Sequence, residues 1–557
     1  MTSSQNSCSI NQPRSSSTCY IDTRGQITTP LPFSTIIING LADGGGLYVP
    51  VDLPTLTIEE IVNLTCLPYA QRAAKVFECF NVDFDEKQIE SLMQAAYGDN
   101  FDSNQIAPVV KVAEQTFLLE LTHGPTSAFK DMALQCLPHF FSAALEQGES
   151  SAAAQPSPAV TAPATTAQPA QHASPAAQPP LHLILVATSG DTGSAALSGF
   201  KNRANTALIV YYPREGVSDI QRRQMTTAEG NNIAVVAVEG NFDDCQAAVK
   251  AIFSDTDFAQ TLAEQNVTLS SANSINWGRL LPQVVYYVNA YTQLVAQNAI
   301  TSGQLVDVCV PTGNFGNILA AWYAKKIGTP IGLLYCASNV NHVLTDFINT
   351  GTYDISDRLF TVTPSPSMDI LVSSNLERQL FELNGRNSDL IIQWMTDLGN
   401  NKKFQVDKTT FAALREDFTS DWVTSEESLS TICDVYDQHQ YLLDPHTAVA
   451  WKVAERLRPA PDTPVLIAST AHWSKFPEDV YRALHQLLPG DELPAEVSSM
   501  TGSELIDLIN RQYSSTELPE NLASLYQKPI RFTEARAATN QDLMQSILDF
   551  IENRSSN

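Results

Sequence analysis

A mostly parallel, doubly wound α/β architecture is what the sequence predicts, on three observations. From residue 181 onward one grammar recurs: an apolar strand pattern, a Gly-rich polar turn, then a helix pattern, as in "LHLILVA-TSGDTG-SAALSGFKN" and "LVDVCV-PTGNFGN-ILAAWYAKKIG". Strands alternating with helices pair in parallel, because parallel neighbours need a crossover connection between them. The chain has 557 residues, enough for two to four domains, and 43% of them are apolar, enough to build their cores.

In chain order, residues 1–18 are polar and Ser-rich and read as a disordered tail. They contain no apolar signal-peptide core, and Arg14 alone is weak support for a mitochondrial presequence. Residues 19–115 form an N-terminal domain that mixes Gly turns, such as "DGGG" from Asp43 to Gly46, with amphipathic helices, for example Asp85 to Tyr97. The α/β core spans 116–480. It opens with the strand "TFLLEL" at 116–121 and the stretch "HGPTSAFKDMALQCLPHFF", His123 to Phe141, a tight turn running into a helix. Ser127 is the expected N-cap, which puts Lys130 in the first helical turn. Residues 151–180 hold 18 Ala or Pro among 30 and no Asp, Glu, Lys or Arg, so 148–180 reads as a disordered insertion in a surface loop. The grammar then runs through "TALIVYYPREGVSDIQRRQM", "NIAVVAVEGNFDDCQAAVKAIF" and "PVLIAS-TAHWSKF". Residues 375–440 are expected to be a helical elaboration, and 481–557 a C-terminal region of surface helices.

Lys plus Arg is 33 against 60 Asp plus Glu, a net charge of −27, which repels a phosphate backbone and excludes nucleic acid as an expected partner. The nine cysteines form no CxxC, which suits reduced, buried thiols, and the nine histidines show no HxxxH spacing, so no metal is expected. No apolar run reaches the length of a membrane span. A cytoplasmic protein without a membrane partner is expected.

Ligands of doubly wound sheets bind at the carboxyl ends of the strands. In "PTGNFGN", Pro311 to Asn317, the glycines allow close backbone approach and the helix start offers free N–H groups to an anion, although a plain βα turn reads the same way. "TSGDTGS" adds the hydroxyls of Ser189, Thr192 and Ser194. Asp191 is its misfit, since a carboxylate repels an anion, unless it caps the helix. "SANSINWGRLLPQ" clusters Asn273, Ser274, Asn276 and Arg279, and a guanidinium binds carboxylate or phosphate in bidentate fashion. Lys130 stands at the positive end of a helix, where an ammonium is disfavoured; this suits an amine that must lose its proton to act as a nucleophile. Asp131 pulls the other way and is expected to point elsewhere.

A Schiff-base lysine, a Gly-rich phosphate cradle and a third polar turn fit a pyridoxal-phosphate (PLP) site. With "INGLADGGGLYVP", "HGPTSAFKD", "ATSGDTGSAA", "NSINWGR", "PTGNFGNILAAWYAKK", "SPSMDILVSSNLER", "LDPHTAVA" and "STAHWSKF" in order from about Tyr20 to beyond Phe476, the chain resembles the threonine synthase family, of the longer fungal and bacterial type. The resemblance implies the tryptophan synthase β-like fold (fold type II), with two parallel-sheet lobes plus an N-terminal domain and helical elaborations. It implies pyridoxal 5'-phosphate on Lys130, its phosphate on Gly313, Asn314, Phe315 and Gly316, and Thr470 facing the ring nitrogen. Asn317 stands where several relatives have Asp. Ser189, Gly190, Asp191 and Thr192 match the substrate loop, and Asn273, Ser274, Asn276 and Arg279 are expected at the substrate's anionic groups. The implied activity is that of a lyase acting on phosphates: O-phospho-L-homoserine and water to L-threonine and phosphate, by γ-elimination and β-addition of water. Alternatives are a phospho-lyase giving 2-oxobutyrate and a non-catalytic small-molecule-binding scaffold. A monomer or homodimer is expected.

Overall fold

The computed structural model describes residues 19–154, 179–513 and 518–555; the expected tail, 1–18, and most of the Ala/Pro insertion lie outside them. Two sheets carry the fold. One has six strands in the order Phe418–Trp422, Ile331–Ser338, Val306–Pro311, Val465–Ser469, Thr116–Glu120, Val109–Ala113. All its pairs are parallel except the edge hairpin of Val109–Ala113 with Thr116–Glu120. The other is wholly parallel, in the order Ala535–Ala537, Ile233–Glu239, Thr206–Pro213, Leu181–Ala187, Val267–Ser271.

The 20-residue helix Trp277–Ala296 is buried from Trp277 through Leu294, and is apolar on every side as a fully enclosed helix must be. Several of its polar groups are paired inside the core: Gln283 donates to the Arg279 carbonyl, and Tyr286 and Tyr287 both donate to Asn317. The N-terminal segment packs on the site's far side. Phe33, Phe77 and Phe84 surround Phe140 with ring centroids 5.1–5.9 Å away, fixing the helix Leu137–Ala154 that follows Lys130. The expected helix near 85–97 is Glu86–Ala96, started by a capping box of Asp85 and Gln88.

Several expectations need correction. Ser127 is not an N-cap: it lies in the left-handed region (φ 57°), and the helix after it is only Lys130–Leu134, headed by Phe129. The helix beginning at Leu137 continues to Ala154, into the segment expected to be disordered, because Ala sustains a helix. Residues 375–440 are not purely helical: Phe418–Trp422 becomes an edge strand of the six-stranded sheet. The C-terminal region is more than surface helices. Ala535–Ala537 extends the five-stranded sheet, and Leu543, Ile547 and Ile551 of Asn540–Ser555 are buried against its face. Cys136, Cys245, Cys309 and Cys336 are free and buried, in line with the reduced thiols expected. Among the described residues no helix is long and apolar enough to cross a membrane.

Leu543 is fully buried. Leu543→Ala is expected to cost about 3 kcal/mol of folding stability in chemical denaturation, a loss that a loosely attached surface helix would not show.

Candidate functional site

The carboxyl ends of strands from both sheets converge on a cleft partly open to solvent. Lys130, Ser189, Thr192, Asn273, Ser274, Arg279, Gly313, Asn314, Phe315, Gly316, Asn317 and Thr470 all line it. Gly190, Asp191 and Asn276 do not line it.

Lys130 reaches the cleft because its turn is clamped from behind. The Asp131 carboxylate accepts from the Thr126 N–H at 2.8 Å and the Thr126 hydroxyl at 2.8 Å, so it faces back into the turn. This answers how Asp131 avoids neutralising its neighbour. Burial pushes the Asp131 carboxyl up to about 6, against the pull of the Thr126 bonds. Gly124 is required here, since a Cβ on it would lie 2.4 Å from the Asp131 Cβ. His123 anchors the turn's entry, with Nδ1 2.6 Å from Asp102 and Nε2 3.0 Å from Glu120.

The Lys130 amine donates to the Ser367 hydroxyl at 3.0 Å and stands 3.5 Å from Asp191 Oδ2. Burial draws it down to about 8; Asp191 opposes this, and Lys475 and Arg279 assist it. The depressed basicity expected from the helix end thus comes mainly from desolvation. Asp191 is committed to ion pairs rather than to the cleft. Its Oδ1 takes the Lys475 amine at 2.8 Å and the Gln221 amide at 2.8 Å. Burial raises its carboxyl, but Lys475, Lys130 and Gln221 together hold it well below the usual carboxylate range.

The loop after Val306–Pro311 has a geometry suited to an anion. Phe315 takes a left-handed conformation (φ 65°) and starts the helix Gly316–Lys326, and the N–H groups of residues 313–317 donate to no backbone acceptor among the described residues. Gly313 admits the neighbouring segment, since a Cβ on it would meet the Ser367 carbonyl at 2.5 Å. Ser373 donates to the Gly313 carbonyl at 2.6 Å, and the Asn375 N–H to that of Asn314 at 3.1 Å. Asn317 Oδ1 accepts from Tyr286 at 2.7 Å and Tyr287 at 2.5 Å, which turns Nδ2, without a protein acceptor, into the remaining direction. Among the described residues, Asn375 Nδ2, beside Gly316, and Arg279 Nε are likewise buried donors without acceptors. Loop N–H groups, two amides and a guanidinium form a donor set suited to a phosphate. Burial draws Arg279 down to about 10.

Asn276 is structural. Its amide donates to the carbonyls of Ile37 and Ser271, and its Oδ1 caps the Gly278 N–H, leaving nothing for a ligand. Ser367, Met368, Ser374, Gln283 and His446 line the cleft without having been singled out. His446 Nε2 accepts from the Ser367 N–H at 3.2 Å, so its Nδ1 carries the proton shared with Asp444 at 2.9 Å. Their motifs "SPSMDILVSSNLER" and "LDPHTAVA" were the available signal.

Comparison with known proteins adds an independent line. Residues 19–97 match the family model "Threonine synthase N terminus" and 447–547 the model "Threonine synthase, C-terminal". The chain is 44% identical over 463 residues to human "Threonine synthase-like 1", covering 81% of this chain and 58% of that protein, so it spans well under two thirds of that relative's length. It is 38% identical over 508 residues to Pseudomonas aeruginosa threonine synthase, covering 91% of this chain and 97% of that one. Among solved structures, PLP-bound threonine synthase from Brucella melitensis superposes with a TM-score of 0.77 at 33% identity, covering 96% of this chain and 99% of that one.

Two outcomes follow. Asn317→Asp replaces a free amide donor by a negative charge and should weaken binding about tenfold in a titration with inorganic phosphate. Burial lowers the His123 imidazole, but Asp102 and Glu120 outweigh it and raise it from 6.5 to about 9. Its ion pairing therefore stabilises the fold fully below pH 6.5 and fades as pH rises through about 9. The stability deficit of His123→Gln in denaturant should be largest in acid and shrink above that range.

Proposed function

The chain belongs to the threonine synthase family, and from that premise we propose that it converts O-phospho-L-homoserine and water to L-threonine and phosphate, using pyridoxal 5'-phosphate. One observation carries the reading: a buried, weakly basic lysine amine shares a cleft with a cradle of phosphate donors that lack protein acceptors. The residues present fit the cofactor. Lys130 would bear it, the N–H groups of residues 313–317 and the Asn317 amide would hold its phosphate, and Thr470 would offer a hydroxyl to its ring nitrogen.

When bound, the cofactor supplies an electron sink that acidifies the carbon next to the substrate amine. A hydroxyl beside the ring nitrogen does not hold that nitrogen protonated as a carboxylate would, so the sink is tempered. Lys130 would be the base that moves protons at Cα and Cβ of the substrate. Asp191 and Ser367 give its amine a resting place between those transfers, and His446 fixes Ser367 through its backbone N–H. Arg279, Ser274, Ser189 and Thr192 orient the substrate's anionic groups, with Arg279 already desolvated for that purpose. Asp191 acts indirectly, through Lys130.

The test is product analysis with O-phospho-L-homoserine. Threonine and phosphate in equal amounts support the proposal. Phosphate with 2-oxobutyrate makes the protein a phospho-lyase, and no turnover with no visible cofactor absorbance makes it a scaffold. Lys130→Ala should lower turnover about 10³-fold or more and abolish the absorbance change on adding borohydride.

A further inference from the structure

Lys475 is wholly buried, carries a positive charge, and does not line the cleft. Its amine has two partners, Asp191 Oδ1 at 2.8 Å and the Thr126 carbonyl at 2.8 Å. Both belong to the setting of Lys130: Thr126 is the residue through which Asp131 clamps the turn, and Asp191 is the only carboxylate within ion-pair distance of the Lys130 amine among the described residues. A buried ion pair gains little stability over an apolar pair of the same volume, so packing alone does not account for it.

The sharing of Asp191 is unequal. Oδ1 is taken by Lys475 and Gln221, while Oδ2 is left to Lys130 at 3.5 Å and the Ser367 hydroxyl at 3.4 Å. A carboxylate paired with Lys130 alone would grip it as an ammonium, and would be left a buried, unpaired charge whenever Lys130 lost its proton. With Lys475 in place, Asp191 keeps a partner in either state. We propose that Lys475 is a positioning residue for Lys130: by neutralising Asp191 from behind, it makes the carboxylate a weak resting place that the Lys130 amine can leave as a free base and return to. The charged and titratable groups facing Lys130 are Asp191, Lys475, Arg279 and, across the cleft, His446; Asp131 on its own helix is turned to Thr126. Lys475 pushes the Lys130 amine down and Asp191 pushes it up, consistent with these roles.

The inference rests on Lys130 as the reactive lysine of the proposed function, but its test needs no turnover. The full chain, prepared without cofactor, is treated with a small amine-acylating reagent across a pH series, and modification of Lys130 is located by mass spectrometry. The wild-type midpoint is expected near 8. Lys475→Met should move it up by about one unit, and Lys475→Arg, which keeps the charge, should bring it back. A folded Lys475→Met protein with an unmoved midpoint overturns the proposal. If Lys475→Met does not fold, Lys475→Met with Asp191→Asn leaves no unpaired buried charge and takes its place. Its midpoint should fall below the wild-type value, since Asp191 is the stronger influence; an unchanged midpoint overturns the proposal. Failure of the product assay with these shifts intact would discredit the assigned reaction and leave the positioning role standing.

Discussion

Taking a lysine amine out of water without locking it as an ammonium is the constraint around which the surroundings of Lys130 are organised. Burial alone makes Lys130 less basic, but a buried amine still needs a partner for its protonated state. Asp191 is that partner, and its own burial is tolerable because Lys475 and Gln221 hold its other oxygen. The second carboxylate in the neighbourhood, Asp131, is kept out of the balance by the Thr126 bonds. Gly124 permits this by leaving room for the Asp131 side chain. Sequence neighbours thus serve opposite ends: Lys130 faces the cleft and Asp131 secures the turn.

The phosphate cradle obeys the complementary rule. In a chain with a net charge of −27, an anion can be held only by local donors acting against the global field. Those donors are loop N–H groups together with amide and guanidinium groups already desolvated by the core. The Tyr286 and Tyr287 hydroxyls make the choice of Asn at 317 intelligible, because they need an acceptor on one side and leave a donor on the other. An Asp there would accept the same two bonds and offer no donor. The central helix is therefore both the core's axis and the cradle's orienting element.

Much of this was legible in the sequence. The strand, turn, helix grammar identified the strands at 116–121, 181–187 and 305–310, and Lys130 and the glycine loop were legible from residue type and spacing. What escaped had weak local signals. Ile331–Ser338, a strand of the six-stranded sheet, follows the turn at Gly328 to Pro330 but has no glycine-rich loop after it. Phe418–Trp422 and Ala535–Ala537 are short edge strands whose identity depends on the neighbour they meet. Ser127 looked like a helix cap, but the chain there uses a left-handed residue and a side chain five positions from Thr126. Asn276 looked like a ligand group, and its amide turned out to be consumed by backbone carbonyls.

The sequence by itself pointed to the fold class through periodicity and turn signals, and to Lys130 and the glycine loop through ordered motifs that resemble a family, because each of these is written along the chain. Only the tertiary structure decided the charge state of the site. Asp191, Lys475 and Lys130 come from three distant parts of the chain, and electrostatic energy depends on distance and on exclusion of water, neither of which is written in spacing. The same reason separates Asn317 from Asn276. Two asparagines near glycines read alike in sequence, and which one keeps a free donor is settled by the groups that folding places beside each.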